Sequence, residues 1–443
     1  MCPSFNFPAY LRIFLGAILI SLTNINFAVA QAQRPNIIYI MTDDMGYADL
    51  SCYGGKDYTT PNLDKLASQG IKFINAYAAA PLCTPTRTAF MTGRYPAKTP
   101  VGLVEPLRGT PKDSLIGLRP DYKSVATLLK QNGYETVLIG KWHLGFLPEY
   151  SPRANGFDKF FGFHAGAMDY ISHGRNNIPG LYENETPINK EGYFTDLIRD
   201  RAVGYIKQDH VKPFFLSIQF NAPHWPWQGP GDKPNPDSLI RNAGGSAATF
   251  TAMMKSLDDA VGDITKAIDE AKLSGNTIVI FTNDNGGEKF SDMGPLAGRK
   301  GDLWEGGIRV PAFVRWPGII TANTSTAQVA ITMDWTATIL AIAGAKADPD
   351  SPLDGKNLLP VCTDKQKVFE RTLFWRTFQD KQQKAIRQGK WKYLQDKNGE
   401  YLFDLNLDQG EKNNLKQKLP IKFKQLKKKY QEWEKTVLTP LPL

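Results

Sequence analysis

The sequence predicts an α/β fold in which a largely parallel central sheet is flanked by helices and followed by a small C-terminal α+β subdomain. Short runs rich in Val, Ile and Phe alternate with helical patterns along most of the chain, and this alternation is typical of a parallel sheet. Most of the runs end in polar residues or glycine, as buried strands do. From residue 349 onward the alternation stops, which indicates a unit of different architecture.

The predicted strands of the first unit are the short apolar runs, at residues 36–41, 136–139, 214–220, 277–281 and 312–314. The predicted helices lie between these strands, at residues 62–69, 124–131, 195–208 and 247–271. The last helix begins near Ser and Thr residues and stops before Gly275, which is typical of a helix C-terminus.

The second unit follows a segment, residues 349–360, that contains three prolines and a glycine. Residues 371–377, 384–394 and 400–405 are predicted to form antiparallel strands. Apolar residues three and four apart then predict a final helix between Pro420 and Pro440, and they are Phe423, Leu426, Tyr430, Trp433 and Val437. We therefore predict a main α/β domain over residues 31–361, which carries the chemistry, and an α+β subdomain over residues 362–443.

The first 30 residues have the pattern of a secretory signal peptide. They contain one charged residue, Arg12, followed by an apolar run at residues 14–22 and the small-residue exit Ala28-Val29-Ala30. The apolar run is shorter than the roughly 20 residues that a membrane span needs. We expect the peptide to be cleaved and the protein to be periplasmic or secreted, with no membrane span.

Composition and charge exclude several classes of protein. With 42% hydrophobic and 22% charged residues, the chain is not a wholly disordered protein, a coiled coil or a small disulfide scaffold. The net charge is +9, but residues 411–443 alone carry nine Lys against three Glu, so the rest is close to neutral and we expect no nucleic-acid partner. The basic segment is either a polyanion-binding surface or a solvated helix face.

Cys52 and Cys362 either pair or remain thiols, which leaves Cys83 as the odd cysteine.

Oxygen-bearing side chains follow two of the predicted strands. Asp43-Asp44 comes after the first strand, and Asp284-Asn285 follows the strand at 277–281. Adjacent carboxylates repel one another, so a cation, solvent or a helix N-terminus must stabilise them. Because the carboxyl ends of parallel strands meet at one edge of a sheet, the two pairs are expected to converge. A set of oxygen ligands favours Ca²⁺ or Mg²⁺ over Zn²⁺.

The segment Cys83-Thr84-Pro85-Thr86-Arg87 contains a candidate nucleophile. If a helix begins near Cys83, Arg87 lies one turn further along on the same face. A thiol close to a helix N-terminus and a guanidinium is expected to have a lowered pKa and to be reactive. The alternative is an inert buried cysteine in a turn.

Histidine and aromatic residues supply further candidates. Of the five histidines, His143 and His224 come just after predicted strands, where a parallel sheet presents a site. His173 and Arg175 lie in a polar loop that is a candidate wall of a substrate cleft. Trp225 and Trp227 are candidates for stacking on a sugar ring, and the alternative for these aromatic residues is core filling.

The segment at residues 83–87 is similar to the signature of type I sulfatases, which belong to the alkaline phosphatase-like superfamily. Further stretches resemble the same family in order, at residues 35–46, 61–70, 92–96, 140–145, 222–224, 282–287 and 300. The resemblance implies that a maturation enzyme oxidises residue 83 to formylglycine, whose hydrated aldehyde is the nucleophile.

The resemblance also implies roles for the other candidates. The implied ligands of a single Ca²⁺ are residue 83, Asp43, Asp44, Asp284 and Asn285. The implied sulfate-binding cations are Arg87, Lys141 and Lys300. His224, helped by Lys141, would protonate the leaving alcohol, and His143 would then deprotonate residue 83 to expel sulfate.

The function implied by the resemblance is hydrolysis of an O-sulfate ester of a carbohydrate. The loop at residues 222–230 resembles those of bacterial polysaccharide sulfatases, which favours galactans such as carrageenan as substrates. One alternative is a phosphomonoester or phosphonate monoester hydrolase of the same superfamily, which often has Ser, Thr or unmodified Cys as nucleophile. The other is an inactive homologue that binds sulfated glycans and lacks part of the site. The sulfated hydroxyl, exo or endo action and the oligomeric state stay open.

Overall fold

The computed structural model describes residues 1, 3, 34–175, 178–235, 244–379 and 381–440. Apart from Met1 and Pro3, the predicted signal peptide lies outside the described residues, so its cleavage stays a prediction.

The strand Asn36–Thr42 lies at the centre of the fold, and all seven of its residues are buried. It pairs in parallel with Phe214–Gln219 on one side and with Thr277–Asn283 on the other. Ile38 contributes to the core on one face of the sheet, and Tyr39 contributes to the core on the other. Burial on both faces explains why this strand is continuously apolar rather than alternating.

The central strand belongs to a sheet that has ten strands within the described part of the chain. From one edge to the other, the strands are Thr324–Thr326, Ile71–Phe73, Ala312–Arg315, Thr277–Asn283, Asn36–Thr42, Phe214–Gln219, Glu135–Lys141, Lys159–Phe163, Leu181–Glu183 and Thr186–Ile188. The central pairs are parallel, and antiparallel pairs lie toward the edges. Each of the five predicted strands is present with its ends within two residues of the predicted ones, and the predicted fold class is confirmed.

Helices pack on both faces of this sheet. The helix bounds in the structure are Pro61–Ser68, Cys83–Thr92, Val125–Gln131, Phe194–Ile206, Ala247–Glu270, Glu305–Ile308, Thr332–Ala343, Leu359–Cys362 and Pro420–Glu434. Ser124 and Ser246 directly precede the helices Val125–Gln131 and Ala247–Glu270, and each side chain accepts a hydrogen bond from the backbone N–H three residues later. The helix Thr332–Ala343 was not predicted because nearly all of its residues, including the polar ones, are buried and it has no exposed polar face.

The C-terminal region contains a four-stranded antiparallel sheet, with strands Thr372–Arg376, Lys384–Gln388, Trp391–Asp396 and Gly399–Asp404. One face of this sheet packs against residues of the main domain such as Tyr77 and Ile331. The other face packs against the helix Pro420–Glu434. Residues from Pro35 onward form one compact unit, and the predicted boundary between residues 361 and 362 stays a prediction.

Details of the C-terminal prediction are wrong. The single strand predicted over residues 384–394 is a hairpin, because Gly389 adopts a φ of 56° and reverses the chain between two strands. The final helix ends at Glu434, so Val437 lies beyond it.

Cys52 and Cys362 are free thiols, so the disulfide left open by the sequence is not formed. Among the described helices, none is long and apolar enough to cross a bilayer.

Two further short strand pairs are present among the described residues. Ala76–Tyr77 pairs with Ala330–Ile331, and Gly174–Arg175 pairs with Ile178–Pro179.

Candidate active site

The two oxygen-rich pairs converge at one edge of the central sheet. Thr42 and Asn283 are register partners at the ends of adjacent parallel strands, so the residues that follow them emerge side by side. Asn285 Nδ2 donates a hydrogen bond of 2.7 Å to Asp44 Oδ1, and the backbone N–H of Asp44 lies 3.3 Å from Asp284 Oδ1. Asp43, Asp44, Asp284 and Asn285 are buried and form what we call the acidic cluster.

Three cationic side chains from different elements contact the acidic cluster. Lys141, at the end of the strand Glu135–Lys141, forms an ion pair with Asp43. Lys300 Nζ lies 2.5 Å from Asp44 Oδ2. Arg87 Nη2 lies 3.1 Å from Asp284 Oδ2 and 3.7 Å from Asp43 Oδ2. These ion pairs are almost inaccessible to solvent, so their electrostatic interactions are weakly screened.

Cys83 is the first residue of the helix Cys83–Thr92, which follows the extended residue Leu82. The whole helix is buried, and Arg87 lies one turn after Cys83, as the spacing predicts. The side-chain ligand atoms of Cys83, Asp43 and Asp284 all lie within 4.8 Å of one another. The structure therefore brings the candidate nucleophile to the acidic cluster.

The lowered pKa expected for the Cys83 thiol is wrong. Burial raises the pKa of Cys83 to about 11, and the positive charges of Lys141 and Lys300 only partly offset that effect. Because the thiol is almost fully inaccessible, loss of solvation of the thiolate dominates. The unmodified cysteine is therefore a protonated thiol at neutral pH and a weak nucleophile.

The acidic cluster has the properties of a site for a hard dication. Within the described part of the chain, Asp43 Oδ1 and Asn285 Oδ1 are buried and accept no hydrogen bond. Burial, with the neighbouring carboxylates, raises the pKa of both Asp44 and Asp284. A divalent cation would use the unpaired oxygens and relieve the repulsion between the carboxylates. The residues present therefore fit Ca²⁺.

A family model described as Sulfatase matches residues 35–345, which include all the residues of this site. The chain belongs to the sulfatase family. A second family model, described as N-sulphoglucosamine sulphohydrolase, C-terminal, matches residues 299–436. The protein is thus a sulfuric ester hydrolase of the formylglycine type, in the alkaline phosphatase-like superfamily.

Individual relatives of this sulfatase include enzymes and solved structures. The human N-acetylgalactosamine-6-sulfatase is 35% identical over 367 residues, which cover 77% of this chain and 68% of that protein. The solved structure of Ps i-CgsB in complex with k-i-k-neocarrahexaose is 32% identical, with a TM-score of 0.84 and coverage of 92% of this chain and 94% of that one. A solved chain from work on glycosaminoglycan metabolism by Bacteroides thetaiotaomicron is 25% identical, with a TM-score of 0.75 and coverage of 91% and 100%.

His224 of the sulfatase lies beside the acidic cluster. The backbone N–H of Asp43 donates to Ala222 O over 3.1 Å, which holds the turn that carries His224 against the first strand. His224 Nε2 lies 3.5 Å from Asp44 Oδ2, and its Nδ1 contacts the backbone carbonyl of Trp225. Since a carbonyl only accepts, the ring proton is on Nδ1 and Nε2 faces the cluster. Burial and the charge of Lys300 lower the pKa of His224.

His143 has the opposite arrangement of its ring nitrogens. Its Nε2 lies 2.8 Å from Leu107 O and therefore carries the proton, whereas its Nδ1 is buried and has no hydrogen-bond partner among the described residues. The backbone carbonyl of His143 accepts a hydrogen bond from Thr84 Oγ1 over 3.2 Å, which ties it to the residue after Cys83. Burial and nearby Lys141 lower the pKa of His143, so its ring is neutral near pH 7.

The predicted substrate-binding residues are less well supported by the structure. His173 is buried, and both of its ring nitrogens lie within hydrogen-bond distance of backbone carbonyls, which are contacts of a structural histidine. Trp227 is 6% exposed and packs against Phe290, which leaves little of its ring free to stack on a sugar. Trp225 is partly exposed and lies next to the His224 ring, with 5.0 Å between centroids. The side chain of Arg175 lies outside the described residues.

Two residues that position the site were not predicted. Gln219 Oε1 accepts from Arg87 Nη1 over 2.9 Å, and its own amide donates to Ser217 over 2.7 Å. Asn283 accepts from Thr42 Oγ1 over 2.8 Å and donates to the backbone carbonyl of Met45 over 2.7 Å, which fixes the turn after the first strand. The available signal was the polar residue type, because Gln and Asn are unusual in otherwise apolar buried strands.

Proposed function

We propose that this sulfatase hydrolyses an O-sulfate ester of a carbohydrate, using residue 83 oxidised to formylglycine and one Ca²⁺. The observation that carries the proposal is the convergence of three carboxylates, three cations and the first residue of a buried helix. When bound, Ca²⁺ supplies positive charge that orients the oxygens of residue 83 and of the sulfate. The hydrated aldehyde of residue 83 would supply the hydroxyl that attacks sulfur, and the bond from sulfur to the sugar oxygen would break.

The cationic side chains make the site attractive to an anion. Three carboxylates and one dication sum to −1, which would repel a sulfate ester. Arg87, Lys141 and Lys300 add three positive charges and bring the sum to +2. In a buried site these charges act more strongly on sulfate than they would in water.

The two histidines have the geometry for proton transfer in opposite directions. A sugar alkoxide is a poor leaving group and needs a proton as it departs. We assign His224 Nε2, helped by Lys141, to supply that proton. The ring would take up the proton at Nε2 when the anionic ester binds. His143 presents an unprotonated Nδ1 without a partner among the described residues, which suits a base. It would take the proton of the second hydroxyl of residue 83, so that the C–O bond to sulfate breaks and the aldehyde forms again. Each assignment uses the ring nitrogen that its backbone carbonyl leaves available.

The substrate class proposed here is a sulfated galactan or an oligosaccharide derived from it. Support comes from the similarity to Ps i-CgsB, whose structure contains k-i-k-neocarrahexaose, and to the N-acetylgalactosamine-6-sulfatases. Both names concern sulfated sugars of the galactose configuration. The partly exposed Trp225 beside His224 is a suitable platform for such a ring.

The test is a substrate panel with product analysis. The protein, produced together with a formylglycine-generating enzyme, is incubated with carrageenan oligosaccharides, chondroitin 6-sulfate oligosaccharides, 4-nitrophenyl sulfate and 4-nitrophenyl phosphate. We expect free sulfate from a galactan or galactosamine ester, with kcat/KM for the aryl sulfate about a hundredfold above that for the phosphate. Faster release of phosphate than of sulfate would contradict the proposal.

The nucleophile is tested on the same sample by mass spectrometry. The peptide that contains residue 83 should be lighter by about 18 Da than the unmodified peptide, because –CH₂SH becomes an aldehyde. Full activity in a sample that carries only the intact thiol would exclude formylglycine. Cys83→Ala serves as the inactive control.

We also propose that the protein is exported, either to the periplasm or from the cell. The support is the signal-peptide pattern of the first 30 residues. N-terminal sequencing of protein from cell fractions tests it: a mature N-terminus near Gln31 in the exported fraction is expected, and an intact Met1 in the cytoplasm would contradict it.

A further inference from the structure

A cavity of about 790 Å³ opens beside Lys300. Its walls come from the segment between residues 288 and 302 and from Lys381. Because Lys300 Nζ is 2.5 Å from Asp44 Oδ2, the cavity adjoins the acidic cluster directly. Its volume lies in the range of ligand pockets. Of the residues that line it, Lys300 alone has a role in the mechanism proposed above.

The side chains that line this cavity carry more positive than negative charge. Lys289, Arg299, Lys300 and Lys381 are its cationic side chains, and Glu288 and Asp302 are its acidic ones. Asp302 is already engaged, because Oδ1 lies 2.6 Å from Lys381 Nζ and Oδ2 accepts from the backbone N–H of Arg299 over 3.2 Å. Lys300 is paired with Asp44. The other acidic side chain, Glu288, has Oε1 3.9 Å from the same Lys300 Nζ, so the excess positive charge resides on Arg299 and Lys289.

Arg299 and Lys289 are exposed, and neither has a carboxylate within 4.0 Å among the described residues. Lys289 Nζ lies 5.5 Å from the ring centroid of Trp227 and 5.0 Å from that of Phe290, so an aromatic pair supports its ammonium. An aromatic face attracts the cation without neutralising it. Both side chains are thus available to an anion from solvent.

The backbone holds Arg299 at a fixed position relative to the candidate nucleophile. The N–H of Lys300 donates to Gly287 O over 3.1 Å, and the N–H of Gly301 donates to Pro81 O over 2.9 Å, two residues before Cys83. Gly298 adopts a φ of 77°, and a Cβ there would lie 2.7 Å from the Cβ of Trp304, so the turn before Arg299 requires glycine. The backbone at Arg299 and Lys300 is therefore fixed beside the segment that leads into Cys83.

We infer that Arg299 and Lys289 form a second anion subsite, which binds a negatively charged group on the sugar next to the one whose ester is cleaved. The ligand is a second sulfate ester or a uronate carboxylate of a polyanionic oligosaccharide, and a guanidinium is suited to bind either in a bidentate manner. This inference rests on the proposed carbohydrate sulfatase function. It gives the enzyme a preference for densely charged glycans over esters with a single sulfate.

The test compares a double variant with a charge-matched control. Arg299→Gln/Lys289→Gln removes both subsite cations, and Lys424→Gln/Lys428→Gln removes two exposed lysines from the helix Pro420–Glu434. The substrates are carrageenan oligosaccharides of equal length with one or two sulfates per disaccharide, and a chondroitin 6-sulfate oligosaccharide provides the carboxylate arm. We expect the subsite variant to raise KM for the doubly sulfated substrate roughly tenfold, with a several-fold smaller effect on the singly sulfated one. The control variant should affect both substrates equally.

Binding measurements keep the inference testable if the proposed reaction fails. Calorimetry with the same oligosaccharides on the Cys83→Ala protein should show the same tenfold difference in Kd, whether or not any ester is cleaved. A loss confined to the chondroitin oligosaccharide would identify the carboxylate as the ligand, and a loss confined to the doubly sulfated carrageenan would identify the second sulfate. Equal effects of the two double variants on every ligand would overturn the subsite.

Discussion

The guanidinium of Arg87 lies 3.1 Å from the carboxylate of Asp284, although the two residues are 197 positions apart in the chain. The other end of the guanidinium contacts Gln219 Oε1 at 2.9 Å. The two ends of the guanidinium thus link the helix that begins at Cys83 to the ends of two strands of the central sheet. A lysine could not make both contacts, because a single ammonium lacks the planar fork.

Replacement of Arg87 by Met should destabilise the protein, because it leaves the buried Asp284 carboxylate without its cation. We expect Arg87→Met to lower the free energy of unfolding by about 3–5 kcal/mol. Arg119→Met is the matched control, because Arg119 forms an ion pair with Asp121 in which the side chains are 61% and 58% exposed. Loss of this exposed ion pair should lower the free energy of unfolding by less than about 1 kcal/mol. Denaturant unfolding of the calcium-free proteins measures both. Equal small losses would mean that the buried pair does not stabilise the fold.

Calcium binding should depend on the carboxylate of Asp43, one of whose oxygens is buried and has no hydrogen-bond partner in the described structure. Asp43→Asn replaces a charged ligand by a neutral amide, so we expect Ca²⁺ affinity and kcat/KM to fall together. A Ca²⁺ concentration of 100 times Kd should stabilise the wild-type protein by about 2.7 kcal/mol, and the variant should lose most of that stabilisation. Calorimetric titration and thermal unfolding with and without EGTA provide the measurements.

The control for this experiment is Asp121→Asn, at an exposed carboxylate of a surface ion pair. It should leave the response to EGTA as in the wild-type protein. If EGTA changes neither the stability nor the activity of the wild-type protein, the metal assignment is wrong.

The sequence predicted the strand ends well, because continuous apolar runs and the polar residues that stop them are local signals. The sequence also predicted the acidic cluster, because the carboxyl ends of neighbouring parallel strands lie side by side. The strands 36–42 and 277–283 are such neighbours. What it did not predict depends on burial in the folded chain. The raised pKa of Cys83 comes from desolvation, which no spacing of charges reveals. The hydrogen bonds of Gln219 with Arg87 and of Asn283 with Thr42 join residues that are distant in sequence.

The stability of the protein should depend on pH through His164. Burial lowers the pKa of His164 to about 4, and its ring packs edge-on against Phe160 and Tyr182. Because the unfolded chain binds a proton on this residue near pH 6.5 and the folded protein does not, stability is complete above that pH and is lost as the pH falls toward 4. Between pH 7 and pH 5 the loss from this residue should be about 2 kcal/mol.

His164→Phe removes the titrating group while keeping an aromatic ring in the same position. The variant should lose about 2 kcal/mol less than the wild-type protein between pH 7 and pH 5 in denaturant unfolding. An NMR titration of the wild-type ring should show a midpoint near the lowered value. A midpoint at the ordinary value for histidine, with equal pH dependence of the two proteins, would contradict the prediction.

The two histidines of the site should differ in the step they assist. His224 Nε2 faces the acidic cluster, so His224→Ala should lower the rate on a sugar sulfate by about 10²–10⁴-fold. The same variant should lose less than about tenfold on 4-nitrophenyl sulfate, because the phenolate, with a conjugate-acid pKa of roughly 7, leaves without a proton.

His143→Ala should slow both substrates to the same extent, because its unpartnered Nδ1 is assigned to the step after the alcohol has left. Alcohol release in the first turnover should then run ahead of sulfate release by one equivalent per site. Rapid-mixing measurements of both products, with kcat and kcat/KM on both esters, distinguish the two variants. His210→Ala is the matched control, since the hydrogen bond and ring contacts of His210 are with Tyr205 and Phe214, which are not residues of the site. This variant should behave as the wild-type enzyme does. If His224→Ala loses equally on aryl and sugar esters and His143→Ala shows no burst, the roles of the two histidines are misassigned.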